Sequence, residues 1–475
     1  MNRVDGTEVR RKVEQARARV RGKRARLIGF EAVEIQRFVT ASSRPITIQG
    51  ACEALKGFDK HNEARPETIF AGGTRGLMLV AEDALEGTLI ELRRRLGESA
   101  FGLSLAVAHV PFDPKDEKGS LRWLRLEQRS AHDACAPEPI ELAAFVEMSC
   151  ADCHARPAEL DSPKPEAKPG ERICRRCDAL IKRGRETQDH AMERWTLEDL
   201  AQRGRLGVVS ADGNQLGRFF DSLHNLEALR AGSRLISEIF RAAHEAALQR
   251  VGDKHVDDPV DDRHVAPITG GDDIKAFLMP TAALDYVSAL IRSVEDRAEH
   301  AGDVDKLLAG EPHARLKELG VGVGILIAPY HVPATRLVGL AHALEDEAKR
   351  ERKGRSGVCF AVQRTDGEPD ESVRQAVDGR AWAELVERAY WLRLRVPPSQ
   401  RAAAAAAWEL DPAERDNQLL WQIARSRAWQ DWYADCRVEW RDRAQALGAL
   451  RDGALGGSAV LALASLGGRR GKETS

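Results

Sequence analysis

Short apolar runs alternate with longer amphipathic stretches along most of the chain, and this alternation occurs twice in a similar order. Runs of about four to eight apolar residues are typical of buried strands, whereas apolar residues at every third or fourth position are typical of helices. One set of such elements lies between residues 27 and 108, and the other lies between residues 205 and 327. The pattern therefore predicts an α/β (α+β) protein that contains two related units.

The second unit shows the clearer order of elements. A buried strand is predicted at Arg205 to Ala211, and Asp212 follows at its carboxyl end. A helix, a hairpin, a second helix and a last strand come next, with predicted positions Arg218 to Leu229, Ile268 to Met279, Leu284 to His300, and Gly320 to Ile327. This order is that of a ferredoxin-like palm, in which helices back an antiparallel sheet.

Three acids of the second unit are candidate catalytic residues and metal ligands. Asp272 and Asp273 follow the glycine pair Gly270 and Gly271 at the predicted hairpin tip, and Asp212 ends the first strand. Glycines let a ligand approach the backbone, and adjacent carboxylates repel each other unless a cation lies between them. The acids fit two divalent ions, magnesium or manganese, that carry nucleotide phosphates, as nucleotidyl transfer requires. For the hairpin alone, a polar surface turn is the alternative.

The first unit repeats this order without the acids. A strand begins at Leu27, and Ile35 to Phe38 holds the spacing that Leu216 to Phe219 holds in the second unit. At the matching hairpin, Thr74 and Arg75 occupy the positions of the two acids. A site with a cation in place of acids cannot hold metal in the same way. The first unit is therefore interpreted as a scaffold or as half of a composite nucleotide pocket, with chance similarity of two α/β units as the alternative.

Between the two units lies a pair of C-x2-C sequences. Cys150 and Cys153 are separated from Cys174 and Cys177 by a spacer of twenty residues. Paired sequences of this kind supply four thiolates to a tetrahedral structural zinc ion. Disulfide pairing is the alternative, and a redox role lacks the strand–helix context that such a motif normally has.

These features together resemble the large polymerase subunit of type III CRISPR effector complexes, which is related to GGDEF cyclases. The resemblance covers roughly residues 25 to 365 and includes the segment from Gly322 to Lys349. It implies conversion of ATP to cyclic oligoadenylate second messengers within an RNA-guided antiviral complex, with other effector subunits, guide RNA and, indirectly, target RNA as partners. It also implies that Gly213, Asn214, Gly270, Gly271, Lys349 and Arg75 contact nucleotide.

Two features depart from the family pattern. Many members carry an HD nuclease domain before the first palm, whereas only about 26 residues precede it here, so no DNase activity is expected. The His132-Asp133 dipeptide has no upstream histidine partners and is interpreted as incidental. Asn214 stands where metal-dependent cyclases often have a second acid, which leaves three acids for two ions.

Composition and charge exclude few classes of function. The chain has 475 residues, 43% hydrophobic residues and a formal net charge of −2, so its overall charge gives no sign of nucleic-acid binding. A basic stretch near the start, between Arg10 and Arg26, is compatible with RNA or partner contact and equally with a frayed, solvated helix. No apolar run is long enough to span a membrane and no signal peptide is present, so a cytoplasmic protein is expected.

The region after Asp366 has helical periodicity and contains seven of the nine tryptophans. The spacing of Trp429, Trp432, Cys436 and Trp440 predicts a helical bundle with an aromatic core. Five segments are expected: a basic N-terminal segment (1–26), a degenerate palm (27–140), a zinc element with a helical linker (141–200), the GGDD palm (201–370) and a helical domain with a flexible tail (371–475). Two alternatives for function remain, a free-standing GGDEF-like nucleotide cyclase and a non-catalytic scaffold subunit.

Overall fold

Two sheets with related strand orders form the centre of the computed structural model; the first is antiparallel, and the second is antiparallel except where the strands Gly320–Pro329 and Gly357–Val362 pair in parallel. The structure describes residues 5–42, 44–135, 148–163, 169–187, 196–202, 204–254, 264–301, 306–352, 354–363, 375–407, 412–435 and 441. The first unit contains α1 (Gly6–Val20), β1 (Ala25–Val33), α2 (Ile35–Val39), α3 (Pro45–Ala64), β2 (Thr68–Gly72), β3 (Arg75–Ala81), α4 (Leu85–Ser99), β4 (Ser104–Pro111) and α5 (Glu117–Ala134). Its sheet has the order β2-β3-β1-β4, which is that of a ferredoxin-like unit.

A short zinc-type element follows and leads into the second unit. The element contains β5 (Leu160–Asp161), β6 (Arg172–Ile173) and α6 (Arg175–Thr187). The second unit contains β7 (Arg205–Asn214), α7 (Leu216–Asp221), α8 (Leu226–Lys254), β8 (His264–Gly270), β9 (Asp273–Leu278), α9 (Pro280–His300), α10 (Glu311–Lys317), β10 (Gly320–Pro329), α11 (Ala334–Glu351), β11 (Gly357–Val362) and β12 (Gln375–Asp378). The predicted helix Arg218 to Leu229 is wrong in detail, because a break separates α7 from α8.

The second sheet repeats the first and extends it. Its order is β12-β11-β10-β7-β9-β8, so the four strands β8-β9-β7-β10 correspond to β2-β3-β1-β4. Both units also place a non-glycine residue in the left-handed region between the first strand and the next helix, with φ of 59° at Glu34 and 62° at Gln215. Because such a conformation is uncommon for non-glycine residues, its recurrence at matching positions supports an internal duplication over chance similarity.

The basic N-terminal stretch forms helix α1, which packs against both units. Val9 and Val13 on one face of α1 are fully buried in the main core. On another face, Arg17 pairs with Glu117 of α5 at 2.6 Å and with Glu227 of α8. A frayed, solvated helix is therefore the wrong interpretation of this stretch, since its apolar face and this arginine fix it between the palms.

Close helix packing joins the zinc-type element to the first palm. A Cβ atom at Gly50 of α3 would overlap the Leu180 carbonyl group of α6, and one at Gly184 of α6 would overlap the Ile46 carbonyl group. Glycines at these two positions therefore let the helices approach at backbone distance.

The described part of the C-terminal region is helical, as predicted. It comprises α12 (Gly379–Arg395), α13 (Pro398–Ala407), α14 (Pro412–Arg425) and α15 (Arg427–Asp435). Trp382, Trp429 and Trp432 are fully buried, which makes core packing their role, whereas Trp421 is exposed. Cys436, Trp440 and the expected flexible tail lie outside the described residues. None of the described helices is long and apolar enough to cross a membrane.

Candidate active site

A cavity of about 1570 Å³ lies between the two palms and is lined by both glycine hairpins. Gly73 and Arg75 contribute from the first palm, and Gly271 and Asp272 contribute from the second. In both hairpins a glycine with positive φ follows the last residue of one strand, with φ of 64° at Gly73 and 65° at Gly271. The two turns thus have matching positions, and each directs its following residues towards the shared cavity.

The three predicted acids all line this cavity. Asp212 lies inside β7, because this strand continues to Asn214 and pairs Asp212 with Gly322 of β10. Asp272 is in the hairpin turn, and Asp273 is the first residue of β9. Asp272 and Asp212 lie close enough for the charge of Asp212 to act on the carboxyl group of Asp272. The oxygen atoms of the three acids do not all lie within 4.8 Å of one another, since Asp273 is paired with a lysine instead.

The electrostatics of these acids fit a bound cation. Burial and the neighbouring Asp212 charge raise the pKa of Asp272 well above its ordinary value, and Arg75 opposes the shift. Burial also raises the pKa of Asp273, while Lys275 opposes that shift. The Oδ1 atom of Asp273 is buried and accepts no well-directed hydrogen bond, although the ammonium group of Lys275 is 2.6 Å away. Crowded, desolvated carboxylates are a donor set that suits a divalent ion.

A buried glutamate on α11 pairs with two lysines that in turn contact the acids. Glu345 is fully buried, and its carboxylate accepts hydrogen bonds from Ser210, from Lys275 at 3.0 Å and from Lys349 at 2.6 Å. Lys349 also pairs with Asp212. Although burial raises the pKa of Glu345, a hydrogen bond with His342 and the charges of Lys275 and Lys349 hold that pKa well below its ordinary range.

Sequence reasoning missed Glu345 and Lys275, although a signal for each exists in the sequence. Glu345 precedes Lys349 by four residues, so the two lie on the same helix face. It also stands in the apolar stripe that contains Leu337, Ala341 and Leu344, all buried. A charged residue in such a stripe must have a buried partner. Lys275 likewise interrupts an otherwise apolar strand.

Two glycines of β10 allow α11 to reach the acids. A Cβ atom at Gly324 would lie 2.5 Å from the Glu345 backbone nitrogen and closer still to the Ala341 carbonyl oxygen. At Gly322 it would overlap the Lys349 side chain. Because β10 lies next to β7, these missing side chains let the helix descend onto the sheet beside Asp212. The approach places Glu345 and Lys349 over the acids.

The other residues expected to contact nucleotide occupy different positions. Asn214 is buried and donates a hydrogen bond to the Arg355 carbonyl oxygen at 2.7 Å, so its amide holds the turn between α11 and β11. A Cβ atom at Gly213 would overlap Leu216, which makes close packing the reason for this glycine. Neither residue lines the cavity. Gly270 ends β8 and pairs with Asp273, next to Gly271 at the cavity.

The first palm carries an ion pair where the second carries two acids. Glu31 lies opposite Arg75 in the β1–β3 register, and their side chains pair at 2.7 Å. Although burial lowers the pKa of Arg75, the charges of Glu31, Asp272 and Asp212 raise it. The cation of the first palm is thus close enough to sense the acids of the second. Both oxygens of Asp59 accept a hydrogen bond from the Thr74 backbone, each at 3.0 Å, which stabilises the left-handed conformation of Thr74.

A buried arginine holds the palms in this facing arrangement. Arg230 of α8 is almost fully buried, donates a hydrogen bond to the Ile69 carbonyl oxygen of β2 and pairs with Glu63 of α3 at 2.6 Å. Glu63 in turn accepts a hydrogen bond from the Ala71 backbone at 2.9 Å. The second palm is therefore anchored directly to the hairpin of the first.

The four cysteines of the C-x2-C pairs converge at one point. The Sγ atoms of Cys150, Cys153, Cys174 and Cys177 all lie within 4.8 Å of one another, and none of these cysteines forms a disulfide. The neighbouring Asp152 is buried, accepts a hydrogen bond from Thr47 at 2.9 Å and pairs with Arg44 at 3.0 Å. This arrangement fits a closed four-thiolate metal site attached to the start of α3.

Comparisons with known proteins agree with this architecture. Residues 205–359 match the family model for the second palm domain of Cas10/Cmr2. A chain of the Csm1–Csm4 cassette in complex with AMPPNP is similar, with a TM-score of 0.58 and 16% identity, over 96% of this chain and 72% of that chain. The cassette in complex with cA4 gives the same values. The Csm1–Csm4 subcomplex of the type III-A CRISPR–Csm interference complex has a TM-score of 0.56 and 16% identity, over 90% of this chain and 67% of that chain.

At such identities the structural likeness establishes a shared fold. No curated protein matches the sequence significantly.

Proposed function

We propose that this chain is the polymerase subunit of a type III CRISPR effector complex, since residues 205–359 match the family model for the second palm domain of Cas10/Cmr2. In this role it joins ATP molecules into cyclic oligoadenylates. The observation that carries the proposal is the cavity between the palms, which has three acids on one side and the Glu31–Arg75 pair on the other. A scaffold subunit would have no use for crowded carboxylates whose pKa is raised by burial.

In this proposal the second palm binds the metal ions and the triphosphate of one nucleotide, and the first palm binds the phosphate of another. Asp212, Asp272 and Asp273 would hold divalent ions, for which the sequence predicts two magnesium or manganese ions together with ATP. When bound, such ions activate the attacking hydroxyl group and neutralise charge on the transferred phosphoryl group. Lys349 projects from α11 beside Asp212 and would contact the triphosphate. Arg75 would bind the phosphate of a second nucleotide, since its planar fork suits phosphate oxygens.

The duplication favours this function over that of a free-standing GGDEF-like cyclase. Cyclases of that type bring together two half-sites from separate chains, whereas both hairpins here line one cavity within a single chain. The similar structures are complexes with AMPPNP and with cA4, and each contains a second subunit, Csm4. By analogy, the partners proposed for this chain are ATP, other effector subunits and guide RNA, in the cytoplasm.

The four-cysteine cluster has a structural role in this proposal. Four closed thiolate ligands leave no open position for substrate, which is typical of a structural zinc ion. A zinc ion at Cys150, Cys153, Cys174 and Cys177 would hold the short β5–β6 element against α3.

Product analysis with matched variants tests the function. The purified chain, alone and assembled with its partner subunits and target RNA, is incubated with labelled ATP or GTP and manganese, and products are identified by mass spectrometry. We expect cyclic oligoadenylates from the parent and none from Asp272→Ala combined with Asp273→Ala, with Asp212→Asn similarly inactive. Gly217→Ala is a suitable control, because a Cβ atom there would meet nothing within 4 Å. Undiminished product from the double variant would refute the assignment.

A further inference from the structure

A lysine inside the second palm sheet already supplies a positive charge to one of the three acids. Lys275 lies two residues after Asp273 on β9, so both side chains point to the face of the sheet covered by α11. Only 1% of its side chain is exposed, and its ammonium nitrogen is 2.6 Å from Asp273 and 3.0 Å from Glu345. The ammonium group is therefore held between two carboxylates.

Neighbouring elements leave this ammonium group no alternative position. On β7, Ser210 is the direct cross-strand partner of Lys275, and its hydroxyl group is bonded to the same Glu345 carboxylate. Above the sheet, α11 approaches at backbone distance over Gly324. A buried ammonium group that left its two carboxylates would lose its solvation without compensation, so it is expected to stay.

Lys349 differs from Lys275 in its exposure to solvent, which decides whether a lysine can give up its carboxylate partner to a metal ion. Its side chain is 25% exposed, and its pairing with Asp212 lies at the edge of the buried cluster. A partly solvated lysine can exchange its carboxylate for a metal ion or a phosphate at little cost, whereas a fully buried one cannot. Asp212 and Asp272 therefore remain available to a metal ion, while Asp273 already has its cation.

We propose that Lys275 acts as a fixed internal cation of the active site, so that the nucleotide-free chain binds one divalent ion through Asp212 and Asp272 instead of two through all three acids. Glu345 is the positioning residue that keeps Lys275 in place. This inference rests on the proposed function only in requiring that Asp212 and Asp272 bind a divalent ion. It concerns the state without nucleotide, whereas the two ions expected from the sequence are bound together with ATP.

Manganese binding without nucleotide tests the proposal independently of catalysis. Bound Mn²⁺ is counted by electron paramagnetic resonance on the full chain, and ions that also bind to a variant with Asp212, Asp272 and Asp273 all changed to alanine are subtracted. We expect one site-specific ion in the parent. In Lys275→Met, which keeps an unbranched side chain of similar length but removes the charge, we expect two.

The control variant is Ser210→Ala, which removes another hydrogen bond to Glu345 without changing any charge and should keep one ion. Lys275→Met combined with Glu345→Gln removes both members of the buried pair, so it provides a second test if the single variant is poorly folded. Two ions in the parent, or an unchanged count in both Lys275 variants, would overturn the internal-cation role. No site-specific ion in any of these proteins would also overturn the proposal, because the nucleotide-free chain would then bind no divalent ion; product formation from ATP tests the metal-dependent function separately.

Discussion

Substitution of Gly324 by alanine would place a methyl group between the second palm sheet and α11. The new Cβ atom would lie 2.5 Å from the Glu345 backbone nitrogen, whereas ordinary van der Waals contact begins at 3.4 Å. Its closest neighbours are backbone atoms, which cannot rotate away as a flexible side chain could. The helix must therefore move outward by about 1 Å, or the strand must bend by a similar amount.

This displacement would act on the site through two residues of α11. Lys349 and Glu345 move with the helix, so the 3.0 Å contact between Glu345 and Lys275 and the pairing of Lys349 with Asp212 would both lengthen. Misplacement of a positioning group by 1 Å can cost about 100-fold in rate. The packing strain itself is expected to cost about 1–3 kcal/mol of unfolding free energy, which a domain of ordinary stability survives.

The assay is the initial rate of oligoadenylate formation from ATP, together with a denaturant titration of both proteins. We expect a rate about 100-fold lower for Gly324→Ala at saturating ATP, with unchanged metal stoichiometry. Gly339→Ala is the matched control, since it lies on the same helix at the cavity and has open space around it. A Gly324→Ala protein with the parent's rate would refute the argument that close helix approach positions the site.

Three further predictions concern the first palm and the zinc-type element. Arg75→Ala should reduce the number of bound ATP-analogue molecules from two to one in calorimetry while manganese binding persists, and one site in both proteins would reduce the first palm to a packing scaffold. Cys174→Ser should lose the single zinc ion that metal analysis is expected to find in the parent and should melt at a lower temperature; a parent without zinc would contradict this. Asp59 has a pKa raised to about 7, chiefly by burial. Because a raised folded-state pKa gives stability that is lost as pH rises towards that value, the stability of the parent relative to Asp59→Asn should fall by up to about 1.4 kcal/mol per pH unit between pH 5 and 7. Parallel pH profiles of unfolding would rule this out.

The features that could be predicted from the sequence depend on a few neighbouring residues. The hairpin at Gly270 to Asp273 follows from glycine's access to positive φ between two apolar runs, and the structure contains it at that position. The convergence of Cys150, Cys153, Cys174 and Cys177 follows from their spacing. The fold class was predictable for the same reason, because the periodicity of each strand and helix is a local property.

Boundaries and helix faces were less predictable, since they depend on contacts between distant segments. Strand β7 continues through Asp212 to Asn214 because β10 pairs with it over that length. The basic stretch around Arg17 forms a packed helix because Glu117 and Glu227, more than 90 residues further along the chain, pair with it. Charge pattern alone cannot distinguish such a helix from a solvated one.

The sequence by itself determined which chemical groups the chain contains and which short segments hold them: three acids on one strand and one hairpin, an arginine at the matching hairpin and four closely spaced cysteines. Only the tertiary structure decided which groups meet. Sheet register sets Glu31 opposite Arg75, and the glycines of β10 bring Glu345 onto Lys275 and Lys349. Except for Lys275, these partners lie tens of residues or more from the acids in sequence. The charges of all of them interact strongly only because packing removes them from water.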